Sequence, residues 1–119
     1  MEHFTKEEFS CKCGACDKGF ADMQASLIDH VQVARHLANT SFKINSAIRC
    51  EEHNTNIGGS PTSAHLTGHA VDISCRSAAS RFKIIKGLQG AGFRRVLIYN
   101  TFIHADTDPS KDQDIITLM

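Results

Sequence analysis

The hydrophobic and polar positions of the chain follow two periods, one typical of helices and one typical of strands. Apolar residues recur at helical spacing over residues 22–38 and again over residues 77–89, which predicts two amphipathic helices. Ser77 has a side chain suited to cap the second helix, and Gly90 and Gly92 favour its end. We therefore expect two main helices.

Four segments have the alternating or apolar pattern of short strands, at residues 42–48, 70–74, 95–99 and 102–106. A tight turn joins the last two of them. The order of elements is helix, strand, strand, helix and a strand pair. This order predicts an α+β fold with a small antiparallel sheet.

In three further segments the hydrophobic residues show no clear periodicity. Residues 51–64 are rich in Asn, Gly, Ser and Thr, which predicts a loop with room for one helical turn at its start. Residues 107–114 are polar and are expected to form a loop as well. Residues 115–118 are expected to form an edge strand or a tail.

Length and charge limit the class of protein. The chain has 119 residues, of which 41% are hydrophobic, and this suits a single domain over residues 1–119 with one modest core. The net charge is zero with neutral histidines, which argues against a nucleic-acid or anionic-membrane surface. No apolar run approaches the roughly 20 residues that a membrane span needs. We expect a monomer.

Five cysteines raise a separate question. Cys11, Cys13 and Cys16 lie together, whereas Cys50 and Cys75 stand apart. The cluster offers three thiolate ligands for a structural zinc ion, and Cys50 or Cys75 can supply the fourth. Two other states of the cysteines are also open, a disulfide that involves the cluster and free thiols throughout. No segment near the N-terminus has the pattern of a signal peptide, so a full disulfide framework is not expected.

The chemistry of the chain is concentrated in the stretch SAHLTGHAVD, in which His65 and Asp72 are seven residues apart. Gly68 lies between them and permits the bend that brings both side chains to one place. His104, in the middle of the predicted strand 102–106, is the natural third ligand. Two imidazoles and one carboxylate suit zinc. Taken singly, however, such a histidine is usually a core residue and such an aspartate usually caps a turn.

The same stretch resembles the zinc D-Ala-D-Ala metallopeptidases, a family whose fold is shared with the signalling domain of Hedgehog. The family motif is S-x-H-x-x-G-x-A-x-D, followed downstream by a strand that ends in a histidine. Its fixed positions are matched here by Ser63, His65, Gly68, Ala70 and Asp72, and the second element by Phe102-Ile103-His104.

Other segments support the likeness, which covers roughly residues 4–108. SAIR at residues 46–49 resembles the S-G-Y-R segment of the family, and the HN and GG pairs between residues 53 and 59 resemble its H-N-x-x-x-G-G run. FSCKCG at residues 9–14 is similar to the opening of the short bacterial and phage members.

The resemblance implies one catalytic zinc ion held by His65, Asp72 and His104. Arg49 would then face the substrate, where its guanidinium can hold a carboxylate or polarise the scissile carbonyl. Ser63 would bind the substrate or orient His65.

The general base is where the likeness is incomplete. The family places a Glu, Asp or His two or three residues before the last zinc ligand, but Thr101 and Phe102 occupy those positions and cannot take up a proton. Asp106 lies two residues after His104 on the same strand face, so it is the predicted substitute. The alternative for Asp106 is a structural carboxylate that binds a neighbouring backbone group or Arg49. The next candidates for the base are Tyr99 and Asp108.

The function implied is that of a zinc metallopeptidase that hydrolyses peptide bonds in peptidoglycan stem peptides or cross-links, as a carboxypeptidase or an endopeptidase. A small chain of this kind suits a phage lysis enzyme (endolysin) or a tail-associated enzyme. It would be made in the cytoplasm and act on the cell wall after release or as part of a phage particle. The alternative is a catalytically inactive zinc-containing domain that binds cell-wall peptide or a protein partner, and the missing base favours it.

Overall fold

The computed structural model describes residues 1–119 and contains three α-helices, three short 3-10 helices and five strands. The α-helices are α1 (Ala25–Ala38), α2 (Glu51–Asn56) and α3 (Ala78–Gly90). The strands are β1 (Ile44–Ser46), β2 (Ala70–Ser74), β3 (Arg95–Ile98), β4 (Phe102–Asp106) and β5 (Ile115–Leu118). The 3-10 helices span Lys6–Phe9, Phe20–Asp22 and Ala64–Thr67.

All five strands belong to one sheet, in the order β1-β2-β4-β3-β5. The pairs among the first four strands in this order are antiparallel, whereas β5 pairs in parallel with β3 at the edge. The predicted α+β class with a mainly antiparallel sheet is therefore confirmed. In the register of the two central strands, Asp72 lies directly opposite His104 and Ala70 lies opposite Asp106. This pairing brings the predicted site residues together.

The two long helices pack against each other, and their buried side chains join those of the sheet and the N-terminal segment in one core. The helices approach each other closely at Gly87 of α3, where an added Cβ would overlap the carbonyl oxygen of Ala34 in α1. Ser77 caps α3 as predicted, because its side chain accepts a hydrogen bond from the backbone N–H of Ser80.

One segment differs in detail from the prediction, and two open alternatives are resolved. The first helix begins at Ala25, after a separate 3-10 helix at Phe20–Asp22, rather than at residue 22. The predicted loop at residues 51–64 begins with the six-residue helix α2. Residues 115–118 form an edge strand and not a tail. None of the helices combines the length and the apolar character that a membrane span requires.

Candidate metal centre

His65 is held in place by the short 3-10 helix Ala64–Thr67. Ser63 caps this helix, since its Oγ accepts a hydrogen bond of 3.2 Å from the backbone N–H of His65. Gly68 ends the helix with φ of 73°, and an added Cβ there would overlap backbone atoms of Asp22. A glycine is therefore required at this position for two reasons, its left-handed conformation and the close backbone contact. Ser63 thus caps the turn that carries His65, and its predicted role of binding the substrate or orienting His65 stays a prediction.

The ring of His65 has a defined tautomer. Its Nδ1 lies 2.7 Å from the carbonyl oxygen of Ala47, and because a carbonyl only accepts, Nδ1 carries the hydrogen. The lone pair of Nε2 then faces Asp72, whose Oδ1 is 3.1 Å away. His65 is buried, with 2% of its surface exposed, so its ring has little freedom to turn.

His104 approaches the same oxygen from the neighbouring strand. Its Nδ1 lies 2.9 Å from Asp72 Oδ1, and its Nε2 lies 2.6 Å from Asp106 Oδ2. Because Asp106 Oδ2 also accepts a hydrogen bond from Arg95 Nε, at 3.1 Å, it acts as an acceptor and His104 Nε2 carries the hydrogen. The lone pair of His104 Nδ1 therefore points to Asp72.

Three electron-pair donors thus converge, with ligand atoms of His65, Asp72 and His104 all within 4.8 Å of one another. Two imidazole lone pairs and a carboxylate oxygen repel one another unless a cation lies between them. This donor set fits zinc, which takes imidazole nitrogen and carboxylate oxygen and leaves a position open at catalytic sites. The structure brings all three predicted ligands together.

The surroundings favour positive charge at this point. When no metal ion is bound, a proton takes its place between Asp72 and the imidazoles. Burial alone would raise the pKa of Asp72, but the hydrogen bonds that His104 and His65 then make with it hold this pKa well below its usual range. Burial would lower the pKa of His104, but hydrogen bonds with Asp106 and Asp72 outweigh burial and raise it. Asp72 is therefore a carboxylate, the form that binds a metal ion.

Arg49 lies beside this centre and is fixed on three sides. Its guanidinium donates through Nε to Ser46 Oγ (3.0 Å), through Nη1 to Asn54 Oδ1 (3.2 Å) and through Nη2 to Asp72 Oδ2 (3.2 Å). Burial lowers the pKa of Arg49, and the charge of Asp72 opposes that fall. Only 12% of the side chain is exposed, so the pair with Asp72 is not a surface salt bridge. Of its five N–H donors, two have no partner within the protein.

Asp106 occupies a different place from the one expected of a general base. Its carboxylate is fully buried and bound on both oxygens, by His104 and Arg95 on Oδ2 and by the backbone N–H of Asp108 on Oδ1 (3.2 Å). It contacts the nitrogen of His104 that faces away from Asp72. The role of Asp106 as the general base stays a prediction. These contacts do not favour it, because both oxygens are already occupied. They instead match the alternative of a structural carboxylate bound by a backbone group, although its arginine partner is Arg95 and not Arg49.

The centre opens into a cavity of about 360 Å³ that contains all the predicted site residues. Two further lining residues were not assigned a substrate-side role from the sequence. Tyr99 stacks on Phe102 with ring centroids 4.3 Å apart, and Lys111 reaches the rim and donates to the carbonyl oxygen of Thr62 at 2.7 Å. Lys111 lies in a polar loop without periodicity, so no sequence signal pointed to it.

Asp108, the other reserve candidate for the base, does not line the cavity. It caps a turn, because its Oδ1 accepts hydrogen bonds from the backbone N–H and the hydroxyl of Ser110 at 2.9 and 2.7 Å. Burial would raise the pKa of Asp108, but these bonds lower it. Tyr99 is therefore the only reserve candidate that faces the cavity.

The predicted cysteine cluster also assembles. Sulfur atoms of Cys11, Cys13, Cys16 and Cys50 all lie within 4.8 Å of one another, and none of the four forms a disulfide. Of the two cysteines that the sequence offered as a fourth member, Cys50 joins the cluster and Cys75 does not.

Fold and site together define an α+β domain with a His-Asp-His centre that suits a catalytic metal ion. A model of the family described as Peptidase M15 matches residues 2–106. The chain therefore belongs to the Peptidase M15 family, which consists of zinc-dependent peptidases, and the resemblance drawn from the sequence motifs is confirmed. No curated protein sequence matches the chain.

Proposed function

We propose that this protein is a zinc peptidase that hydrolyses peptide bonds in peptidoglycan stem peptides or in their cross-links. The observation that carries the proposal is the convergence of His65 Nε2, His104 Nδ1 and Asp72 Oδ1 inside a cavity, in a chain of a peptidase family. These three residues would hold the ion. When bound, zinc supplies a Lewis acid that polarises a carbonyl and activates water.

Arg49 is the candidate for substrate binding. Its contacts with Ser46, Asn54 and Asp72 hold the guanidinium rigid, and its two remaining N–H donors are available to a ligand. A guanidinium fits a carboxylate through two parallel hydrogen bonds, whereas an ammonium acts as a point charge. Lys111 adds a second cation at the rim of the cavity. Both cations suit a peptide that carries carboxylates, as peptidoglycan stem peptides do.

Asp106 acts on the reaction through His104 in this proposal. Its carboxylate binds the Nε2–H of His104, which keeps the lone pair of Nδ1 directed at the metal position. Arg95 neutralises this buried carboxylate from the neighbouring strand. Asp106 is therefore a positioning residue.

Proton transfer is the step for which the cavity offers the fewest groups. Apart from the metal ligands, Arg49 and the Arg95–Asp106 pair, its titratable groups are Tyr99 and Lys111. Tyr99 is the one that we assign to proton transfer, because Lys111 is engaged with Thr62 at the rim. The same scarcity of carboxylates favours a second candidate function, a zinc-containing domain that binds cell-wall peptide without cleaving it.

Incubation of the zinc-loaded protein with purified peptidoglycan distinguishes the two candidates. Hydrolysis creates new amino groups in the soluble or insoluble fraction, and mass analysis of the peptides then shows which bond was cut. A carboxypeptidase releases free alanine, whereas an endopeptidase reduces cross-linked dimers. Protein that sediments with the wall and yields no new amino groups would support the binding domain and overturn the peptidase proposal.

A further inference from the structure

Four cysteine side chains from two separate parts of the chain meet outside the cavity. Cys11, Cys13 and Cys16 belong to the N-terminal loop, and Cys50 immediately precedes α2. The sulfur atoms of Cys11 and Cys50 are 3.8 Å apart, and those of Cys13 and Cys16 are 3.4 Å apart. The chain therefore brings together the thiols of residues separated by 39 positions in sequence.

These distances match a single tetrahedral ion. Zinc–thiolate bonds of about 2.3 Å in a tetrahedron place neighbouring sulfur atoms about 3.8 Å apart. A disulfide would need a sulfur–sulfur distance of about 2.05 Å. An iron–sulfur cluster holds several metal atoms between its thiolates and spreads them more widely. Because all four sulfur atoms lie within 4.8 Å of one another, the spacing favours one ion.

The backbone around the cluster is arranged to receive thiolates. The N–H of Cys50 donates to Cys11 Sγ at 3.4 Å, and the N–H of Ala15 donates to Cys13 Sγ at 3.3 Å. Gly14, with φ of 69°, makes the turn that allows the second of these bonds. Backbone N–H groups directed at sulfur stabilise the charged thiolate and fix its orientation around a metal.

We propose that Cys11, Cys13, Cys16 and Cys50 bind one structural zinc ion, separate from the centre in the cavity. Four thiolates complete a tetrahedral shell and leave no position open for water, which is the arrangement of structural zinc sites. The ion ties the N-terminal segment to the start of α2.

This ion also supports the cavity. Cys50 directly follows Arg49, so the shell that fixes the cysteine restrains the backbone from which the guanidinium projects. On the other side, the ion anchors the segment in which Phe4 and Phe9 enter the hydrophobic core. Loss of the ion should therefore loosen both the N-terminal segment and the position of Arg49.

Zinc analysis of matched variants tests the proposal, with the protein purified under reducing conditions. Wild-type protein should hold about two zinc equivalents, one at each centre, and Cys16→Ser should hold about one. Cys75→Ala is the control, since Cys75 is a buried cysteine outside the cluster, and it should keep both. Equal zinc content in the wild type and Cys16→Ser would overturn the proposal.

Cobalt substitution separates this site from the one in the cavity. Thiolate-to-cobalt charge-transfer absorption should persist in His104→Ala and disappear in Cys16→Ser, whatever becomes of peptidase activity. Thiol reactivity gives a further test that uses only the wild-type protein, so no variant has to fold.

In zinc-loaded wild-type protein, Cys13 and Cys16 should resist a thiol reagent until a chelator is added. Immediate reaction of both thiols, or a mass that shows a disulfide within the cluster, would overturn the proposal.

Discussion

Asp106 Oδ2 lies 2.6 Å from Nε2 of His104, while Nδ1 of the same ring faces Asp72 at 2.9 Å. The two aspartates thus hold one imidazole from both sides. The spacing of two residues between His104 and Asp106 places both on one face of β4, so this strand supplies the predicted ligand together with the residue that orients it.

The variant Asp106→Asn tests whether Asp106 orients His104 or serves as a base. We expect its zinc affinity at the cavity site to fall by about 10- to 100-fold, because the neutral amide makes a weaker bond to His104 and leaves Arg95 without its counter-charge. Titration with a competing chelator measures this affinity. Asp114→Asn is the control, since it makes the same change in an exposed pair with Arg94. Unchanged affinity with a loss of turnover of about 100-fold or more would instead mark Asp106 as the base.

The variant Arg49→Lys should keep the fold and both zinc ions but lose turnover by about 100-fold, the scale of one lost oxyanion donor. A lysine cannot reproduce the three contacts with Ser46, Asn54 and Asp72 and still offer two parallel donors. Steady-state kinetics on a soluble muropeptide measures the loss. Arg94→Lys, on the exposed surface, is the matched control and should behave as the wild type. If Arg49→Lys had the same kinetics as the wild type, Arg49 would not be a substrate-binding residue.

The packing of the two long helices gives a prediction for stability. Gly87→Ala should destabilise the protein by about 1–3 kcal/mol, because the new methyl group would overlap the backbone of α1 at Ala34. Gly90→Ala, in the same helix, meets only the flexible end of Leu37 and should change stability by less than about 0.5 kcal/mol. Urea unfolding of both variants measures the difference. Equal stabilities would show that the helices can separate at Gly87 without cost.

The convergence of the three predicted metal ligands could be foreseen from the sequence because their signals are local. His65 and Asp72 belong to one short stretch in which Gly68 forces the bend. His104 lies on a strand in which apolar and polar residues alternate, and this alternation indicates the sheet face to which His104 belongs. The pairing of Asp72 with His104 then follows from the antiparallel register of two adjacent strands.

The features that could not be predicted depend on contacts between distant segments. Asp106 pairs with Arg95 because the two lie opposite each other in the β3–β4 register, and no local pattern reports that register. Cys50 rather than Cys75 completes the cysteine cluster because the N-terminal loop packs near the start of α2. Lys111 reaches the cavity from a polar loop whose path the sequence does not indicate.

Mass analysis of purified peptidoglycan after incubation with zinc-loaded wild type or Asp72→Asn tests the central claim most directly. Asp72 is the residue on which both imidazoles converge, and the amide removes its charge while keeping its shape. We predict that the wild type releases peptides or alanine by the addition of one water per bond and that Asp72→Asn, confirmed as folded by circular dichroism, releases none. Equal products from the two proteins, or no product from the wild type, would contradict a zinc peptidase centred on Asp72.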